Sequence, residues 1–462
     1  MLYQAEPRPD IKGYSLILAV DGRDDAGCFD IFVSNFTKLN NFIPLRLGRR
    51  SRVQTDIMIA SLVLVLLVIA IFGSFTSAIF LGLVSLGALR FRRSEVKVTR
   101  TESGPPLTLL KPVHGMEPRL EENLESFFRQ DYPAYEIIFC ARDAEDPALK
   151  IAEKLAKKYP AVATRILASG DPPWTNAKVY SLHKMAAIAK YETLVISDSD
   201  VRVEPNYLRS VTAPLANEKV GVVTCLYRGV PVKGFWALLE ALGMSVEMTS
   251  GVLVANMLEG MKFALGPTMV VRAKCLKAIG GFARMADYCA DDYLLGNLAA
   301  EAGFEVVLSH HVIDHIILNR SFWSSMQHQV RWMKSTRFSR PKGHLGTIFT
   351  FGVPFGVLGL LAGWAHGAVG LGIGLFLWAV LSTALQSVLV GWGITRDANS
   401  LRYALLYPVR GFLGFCLWCA SYTSSSILWR GEQYRLVEDG RMLRGVPPPS
   451  PAQEAPNSGN PV

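Results

Sequence analysis

The sequence predicts an α/β fold in which a mainly parallel sheet, with helices on its faces, lies between N-terminal and C-terminal transmembrane helices. Two observations lead to this prediction. Short β-branched runs alternate with longer helical patterns over residues 105–342, which is typical of parallel sheets. Charged residues make up only 19% of the 462 residues, and the uncharged runs 57–89, 343–395 and 411–429 flank the alternating part.

The composition excludes several classes of protein. A hydrophobic content of 50% excludes disorder, and seven scattered cysteines lack the density of a secreted disulfide scaffold. Cys416 and Cys419 form a C-x-x-C pair inside an apolar run with no second pair, so we interpret them as packing residues. The net charge of +9 is concentrated beside the apolar runs, which favours a lipid bilayer over nucleic acid as partner.

The N-terminal part predicts one membrane helix. Residues 1–54 receive no functional assignment, and residues 55–90 exceed the ~20 residues that span a bilayer. Because cytoplasmic flanks are rich in Lys and Arg, the cations after this helix place the next domain in the cytoplasm of a multi-pass cell-membrane protein. These cations are Arg90, Arg92, Arg93, Lys97 and Arg100.

The alternating part, residues 105–342, is predicted to be the cytoplasmic domain. Its predicted strands are 107–111, 136–140, 163–167 and 193–197, and its predicted helices are 119–129, 147–158 and 177–190. In sheets of this kind, ligands bind beyond the carboxyl ends of the strands. Residues that directly follow the strands are therefore the first candidates for chemistry.

The C-terminal part, residues 343–429, is predicted to be a membrane region. The run 343–395 is long enough for two spans. Residues 403–429 contain a proline and an arginine, so they predict either an interfacial helix followed by a third span or a re-entrant pair. The Pro-rich stretch 446–462 is predicted to be disordered.

The strongest local candidate is Asp198-Ser199-Asp200, which follows a buried strand. Two carboxylates one residue apart can approach a single Mg²⁺ or Mn²⁺, and a hard cation bound in this way often keeps a phosphate as co-ligand. The alternative is a turn in which the Asp side chains accept hydrogen bonds from the backbone. The position at a strand end favours the metal site.

A second acidic pair, Asp291-Asp292, precedes an apolar helical stretch. One interpretation is capping of that helix, because Asp accepts hydrogen bonds from free backbone amides. The other is a general base, Asp292, that takes the proton of an attacking alcohol while Asp291 supports it. Adjacent acids can divide these two roles.

A basic cluster precedes the second membrane region. It contains His328, Arg331 and Trp332, followed by further cations up to Lys342. It can be an ordinary cytoplasmic flank. It can also clamp a diphosphate, because Arg suits phosphate oxygens and Trp332 offers a flat surface to a sugar or acceptor.

Other candidates are less specific. Lys111 and Asp143 each follow a predicted strand and can line a nucleotide cleft, or be surface charges. Asn176 and Lys178 begin a helix and can contact phosphate, although Lys178 can equally be solvated. The apolar stretch 234–261 can be core packing, or a lid or acceptor wall.

Three histidines, His310, His311 and His315, lack the spacing of metal ligands with any cysteine. We interpret all three as structural.

Taken in order, these residues resemble the membrane glycosyltransferases of the GT-A fold, and most closely the ceramide glucosyltransferase family with its hopanoid-modifying bacterial relatives. The resemblance covers about residues 107–435. It rests on Leu110-Lys111-Pro112 with Gly115, Arg142-Asp143 with Asp146-Pro147-Ala148, Asp198-Ser199-Asp200 with Val201-Arg202-Val203, Asp291-Asp292-Tyr293, and Arg331-Trp332. The stretch with Trp429-Arg430-Gly431 and Tyr434-Arg435 is similar to the end segment of these enzymes.

The resemblance implies inverting transfer of a sugar, glucose first, from a UDP-sugar to a lipid alcohol such as ceramide. It implies that Asp143 binds the uridine, that Asp198 and Asp200 hold the metal and diphosphate, and that Asp292 is the catalytic base. Lys111, Lys178, Arg331 and Trp332 complete the proposed donor site. His328 occupies the first position of the family's (Gln/Arg)-x-x-Arg-Trp motif, a departure that favours a hopanoid or other bacterial acceptor, with UDP-N-acetylglucosamine as an alternative donor.

Three other functions remain as alternatives. A processive polysaccharide synthase shares these motifs, but about four spans are few for threading a polymer. A transporter or receptor would need ionisable residues in its spans, and the runs 57–89 and 343–395 contain no Asp, Glu, Lys or Arg. A membrane-anchored nucleotide-binding regulator would not need a base at Asp292.

Overall fold

The structure, a computed structural model, describes residues 49–94, 104–317 and 321–445. Most of the segment 1–54 and all of the tail 446–462 lie outside the described residues. Helix α1 (Arg49–Arg93) opens the described chain, and its part Gln54–Arg93 is long and apolar enough to cross a membrane. The predicted first membrane helix is therefore present as a helix.

Strands and helices alternate in the first part of the domain. They are β1 (Leu107–Pro112), α2 (Leu120–Phe128), β2 (Tyr135–Ala141), α3 (Pro147–Lys158), β3 (Ala163–Ala168), α4 (Ala177–Ala187) and β4 (Thr193–Ser197). The four predicted strands and three predicted helices are all confirmed. The pairs β1–β2, β2–β3 and β1–β4 are parallel, as predicted.

The second part of the domain extends the sheet. Its elements are β5 (Val201–Arg202), α5 (Tyr207–Thr212), β6 (Val220–Pro231), α6 (Phe235–Leu242), α7 (Thr249–Glu259), β7 (Thr268–Arg272), α8 (Ala273–Ala278), α9 (Asp291–Glu301) and β8 (Glu305–Ile317). The eight strands follow the order β3-β2-β1-β4-β7-β6-β8-β5. Strand β7 runs antiparallel between β4 and β6, while β6 and β8 are parallel, so the sheet is mainly parallel.

Side chains alternate between the two faces of the sheet and bury a separate core on each. Leu109, Ile137 and Val195 pack against α2, α3 and α5. Their chain neighbours Leu110 and Ile138 pack against α4, α7 and α9, together with the end of α1. Since helices cover both faces, the central strands β1, β2 and β4 are almost entirely buried, which is the pattern of a parallel sheet.

Helices α6 and α7 join through a π-helical segment, Gly243–Met248, into one apolar helix, Phe235–Glu259. The C-terminal helices are α10 (Phe322–Ser339), α11 (Pro341–Gly346), α12 (Val353–His366), α13 (Val369–Gln386), α14 (Ala398–Arg402) and α15 (Tyr407–Ser421). By length and composition, the described residues contain four helices that can cross a membrane, or five if the bent pair Pro341–Thr350 and Val353–His366 is one span.

The last predicted membrane segment, 403–429, differs from the structure at its end. Helix α15 begins beside Pro408, in its first turn, and ends at Ser421. The polar residues that follow end the apolar run, and the chain forms a three-stranded antiparallel sheet of β9 (Ser426–Trp429), β10 (Glu432–Leu436) and β11 (Met442–Arg444). Trp429 therefore belongs to a strand and not to a span.

A glycine in β6 sets the distance between the sheet and α6. A Cβ at Gly229 would lie 2.5 Å from Cα and 2.8 Å from Cβ of Ala241, so Gly229→Ala must push α6 away from the strand. We expect the substitution to lower the free energy of unfolding by about 1–3 kcal/mol. Thermal unfolding followed by tryptophan fluorescence measures the change.

Gly370→Ala in α13 is the control, because no atom lies within 4 Å of its added Cβ. Alanine favours a helix over glycine by about 0.5–1 kcal/mol, so this variant should unfold at the same or a higher temperature. Equal destabilisation by both substitutions would contradict the prediction.

Candidate active site

One cavity of about 1060 Å³ lies where the carboxyl ends of the strands meet the apolar helices. Most of the predicted site residues line it, although they come from widely separated parts of the chain. These residues are Lys178, Asp198, Asp200, Asp291, Asp292, His328, Arg331 and Trp332. The structure therefore brings together the motifs that the sequence analysis could only place in order.

Asp198 and Asp200 lie in the turn after β4, and backbone hydrogen bonds fix this turn at both ends. The N–H of Asp198 donates to the Pro267 carbonyl at 3.2 Å, and the Asp200 carbonyl accepts from the N–H of Ile316 at 2.8 Å. Each carboxylate has a basic partner. Lys178 Nζ is 2.8 Å from Asp198 Oδ1, and His315 Nε2 is 3.2 Å from Asp200 Oδ2.

The donor set of this turn fits a hard divalent cation. Both residues offer carboxylate oxygens, and Asp200 Oδ1 is buried without a hydrogen-bond partner among the described residues. Burial alone would raise the pKa of Asp200, but His315 lowers it to about 2, so the carboxylate is ionised. No group of three His, Cys, Asp or Glu side chains that could hold a metal occurs in the described ranges.

Lys111 binds the backbone of the turn that contains Asp198 and Asp200. Its side chain is fully buried, its Nζ donates to the Asp198 carbonyl at 2.5 Å, and it lies 3.8 Å from the centre of the Phe127 ring. Burial lowers the pKa of Lys111 to about 7, against the opposing effect of Asp198 and Asp200. The position of Lys111 suits holding the turn in place, whereas the sequence analysis expected direct contact with a donor.

Lys178 connects the two acidic motifs. Asn176 caps α4 by accepting from the N–H of Val179 at 3.2 Å, which places Lys178 in the first turn of the helix. Its Nζ lies 2.8 Å from Asp198 and 3.8 Å from Asp291, and its side chain is only 11% exposed. Burial alone would lower the pKa of Lys178, but the two carboxylates have the larger effect and raise it above its usual value. Lys178 is therefore a buried cation and not a solvated one.

Asp291 and Asp292 occupy the first turn of α9. The N-cap position is Ala290, so neither acid is the capping residue that one interpretation expected. Burial raises the pKa of Asp292 to about 6, and the adjacent Asp291 contributes further. A Cβ at Gly266 would lie 2.9 Å from Asp292 Oδ2, so the chain passes close to this carboxylate.

The basic cluster lies on α10 and is largely bound within the protein. His328 Nδ1 is 2.7 Å from Glu240 Oε1, and the His328 ring lies 4.2 Å from the Trp332 ring. Lys334 donates to Ser424 Oγ at 2.7 Å, and Arg337 donates to the Ser421 carbonyl at 2.7 Å. Lys334 and Arg337 thus connect α10 to the end of α15 and the residues that follow it. A basic flank that only faces lipid headgroups would not make these hydrogen bonds.

Asp143 lies apart from the predicted donor site. It follows β2 in an exposed turn, accepts from the N–H of Glu145 at 3.0 Å, and lies outside the described residues that line the cavity. The buried acid of this turn is Asp146, which caps α3 and accepts from the N–H of Gly115 at 2.9 Å. The role of Asp143 stays a prediction.

His315, interpreted as structural from the sequence, lies in the cavity wall. His310 and His311 lie outside the described residues that line the cavity, and His310 stacks on Phe91, but His315 lines the cavity and pairs with Asp200. Burial lowers the pKa of His315, and Asp200 raises it more. Its place near the carboxyl end of β8, the same kind of position as Asp198, was the signal that could have found it.

Glu117 and Arg430 also line the cavity and were not proposed as site residues. Glu117 accepts from Ser199 Oγ at 2.9 Å, and burial together with Asp200 raises its pKa to about 7. Arg430 and Gly431, both with positive φ, form the turn between β9 and β10. The small C-terminal sheet therefore closes one side of the cavity.

The sequence profile of Glycosyl transferase family 21 matches residues 66–442, a range that includes the whole site. The chain belongs to this family. Ceramide glucosyltransferase 1 of Caenorhabditis elegans is 25% identical over 381 residues, which are 80% of this chain and 79% of that protein. Ceramide glucosyltransferase of Komagataella phaffii is 42% identical over 112 residues, 23% of this chain and 22% of that protein.

Solved structures of other glycosyltransferases are similar to this family 21 glycosyltransferase over most of their length. A mannosyltransferase from Pyrobaculum calidifontis in complex with GDP-Man and Mn²⁺ has a TM-score of 0.43 and 18% identity, and covers 75% of this chain and 98% of its own. TarS residues 1–349 of S. aureus in complex with UDP-GlcNAc has a TM-score of 0.34 and 14% identity, and covers 74% and 99%.

Lys111 of this glycosyltransferase offers a test of the turn. Lys111→Met removes the cation that binds the Asp198 carbonyl but fills the same space, so the fold should persist while the turn loosens. We expect UDP affinity in the presence of Mn²⁺ to fall about tenfold, the effect of one hydrogen bond to a charged group. Calorimetric titration with UDP measures it.

Lys334→Met is the matched control, because Lys334 is also buried and bonded to a carbonyl, but that carbonyl belongs to Ser426, which lies outside the described cavity wall. It should change the melting temperature and leave UDP affinity unchanged. The same loss of affinity in both variants would refute a specific role for Lys111.

Proposed function

We propose that this family 21 glycosyltransferase transfers a hexose, glucose first, from a UDP-sugar to a lipid alcohol with inversion at the anomeric carbon. The observation that supports the lipid acceptor most strongly is the composition of the cavity wall. Each of the four apolar helices contributes to it: Phe80 in α1, Val252 in α7, Thr383 in α13 and Arg410 in α15. The cavity thus continues from the carboxylates to the surfaces that would face lipid.

The donor would bind at the strand ends. Asp198 and Asp200 are the residues that would hold Mg²⁺ or Mn²⁺, which supplies positive charge against the leaving diphosphate. Arg331, buried over the Trp429 ring at 5.4 Å, adds a permanent cation to the same wall. Trp332, packed against His328, offers its ring to the sugar. We place the uridine towards Asp143.

The acceptor hydroxyl would be activated by Asp292. The carboxylate takes the hydroxyl proton while the oxygen attacks the anomeric carbon, and the bond from that carbon to the UDP oxygen breaks. One displacement from the opposite face inverts the configuration. Lys178 lies between Asp291 and Asp198, so it would balance their negative charges and keep the two acidic motifs together.

The proposed setting is the cell membrane. In it, α1 and the C-terminal apolar helices span the bilayer, and the sheet domain lies on the cytoplasmic side, next to its soluble UDP-sugar. The arginines at the end of α1, Arg90, Arg92 and Arg93, support this orientation. A lipid acceptor could then enter between the helices without leaving the bilayer.

Asp292→Asn tests the base. We expect kcat to fall about 100- to 10,000-fold, the usual contribution of a general base, with UDP affinity preserved. The assay is UDP release by the full chain with Mg²⁺ or Mn²⁺, over a panel of UDP-sugars against ceramide, diacylglycerol and a hopanoid polyol.

Asp171→Asn, an exposed carboxylate that pairs with Arg142, is the matched control and should keep full activity. Chelation of the metal should abolish transfer by the unchanged protein. Transfer by Asp292→Asn at the normal rate would remove Asp292 from the mechanism.

The raised pKa of Asp292 predicts a pH dependence. Because burial and Asp291 raise this pKa to about 6, the base is protonated and inactive below that pH. We expect kcat/KM to fall about tenfold per pH unit below about pH 6 and to be constant above it. The profile is measured with saturating metal, and a flat profile across this pH would contradict the assignment.

A further inference from the structure

Two of the apolar helices form an ion pair at the cavity wall, beyond the residues assigned above. Arg410 Nη2 in α15 lies 3.0 Å from Oε2 of Glu247, which belongs to the π-helical segment Gly243–Met248. The Arg410 side chain is 5% exposed, and both residues line the cavity. Ionisable residues inside apolar helices are costly and mark functional sites in membrane proteins.

Both members of the pair have unused hydrogen-bonding capacity. Arg410 Nε and Nη1 and Glu247 Oε2 are buried and have no hydrogen-bond partner within the described part of the chain. A guanidinium carries five N–H donors, and leaving them unpaired away from water is unfavourable. Since both residues line the cavity and the Glu247 side chain is 27% exposed, a molecule in the cavity can approach the pair.

Two glycines leave room for the pair. A Cβ at Gly414 would lie 2.9 Å from Arg410 Nη1 and 3.0 Å from Glu247 Oε2, and a Cβ at Gly243 would overlap the guanidinium. Any other residue at either position would displace the pair. The helices are therefore shaped around these two side chains, which argues against a chance contact between them.

The charges in this part of the cavity indicate what it can bind. Glu247 neutralises Arg410, so the pair presents N–H donors and carboxylate oxygens with no net charge. Nearby Gln386, which donates to Ser250 Oγ at 2.8 Å, and Tyr407 add neutral polar groups to the same wall. Such a surface suits neutral groups that both donate and accept hydrogen bonds, such as an amide or a hydroxyl, better than a phosphate.

We propose that Glu247 and Arg410 form an acceptor-recognition subsite, an inference that rests on the proposed lipid acceptor. The pair binds an amide or second hydroxyl of the lipid and thereby directs the reacting hydroxyl towards Asp292. The enzyme then selects neutral lipids with several polar groups. It rejects simple long-chain alcohols, which cannot satisfy the pair, and anionic glycerolipids, because a pair without net charge does not offset the cost of bringing a phosphate out of water.

The first test replaces the pair by apolar residues of similar size, Glu247→Leu with Arg410→Met, because such exchanges of buried ion pairs are often neutral or stabilising. We expect the acceptor KM to rise about 10- to 100-fold, as for lost hydrogen bonds to charged groups. The donor KM and acceptor-independent UDP release should stay within about twofold, since neither involves the subsite. An unchanged acceptor KM would overturn the proposal.

Arg165→Met is the control for stability. It breaks the 2.7 Å ion pair with the buried carboxylate of Glu136, which lies in the sheet and outside the described cavity wall. This variant should lower the melting temperature and leave the acceptor KM unchanged. A rise in acceptor KM equal to that of the double variant would show that loss of any such ion pair has this effect, and would overturn the subsite.

The second test needs no variant. The unchanged protein is assayed with N-acylsphingosine, a hopanoid polyol, 1-octadecanol and phosphatidylglycerol in the same mixed micelles. We expect one of the two neutral polyfunctional lipids to exceed 1-octadecanol and phosphatidylglycerol by at least about tenfold in kcat/KM. Equal use of 1-octadecanol would overturn the subsite alone, whereas failure of every lipid would overturn the proposed function and the subsite with it.

Discussion

The site depends on several partly buried carboxylates that line one cavity, where like charges repel. Lys178 makes this arrangement stable, because it lies within 4 Å of both Asp198 and Asp291. His315 does the same for Asp200 from the opposite strand. Burial and the adjacent Asp291 raise the pKa of Asp292 to about 6, whereas that of Asp200 is lowered to about 2, and this difference distinguishes the proposed base from the proposed metal ligand.

The fold supplies this arrangement from elements with different roles. The parallel half of the sheet ends its strands at one edge, which fixes the turn of Asp198 and Asp200. Strand β7, antiparallel and inserted between β4 and β6, brings the Gly266-Pro267 segment against both acidic motifs. The small C-terminal sheet then adds Arg430 from the far end of the chain. Loss of the strand ends, of β7 or of the C-terminal sheet would therefore separate residues that now line the same cavity.

The apolar helices form the other half of the same cavity. Helices α1, α7, α13 and α15 all contribute to its wall, so the surface that would face lipid is continuous with the site of chemistry. The π-helical segment in the middle of Phe235–Glu259 turns Glu247 towards Arg410. The proposed lipid acceptor could therefore meet the proposed soluble donor without leaving the bilayer.

The sequence by itself determined the alternating elements of the first half-domain, the apolar helices and the acidic motifs at their ends. These follow from local patterns: residue spacing, strand ends and the length of apolar runs. The tertiary structure alone decided that Lys178 bridges two motifs, that Lys111 lies beneath the turn, that His315 pairs with Asp200 and that Glu247 meets Arg410. Those partners are far apart along the chain, and a side chain's charge and pKa depend on neighbours that only folding brings within a few ångströms.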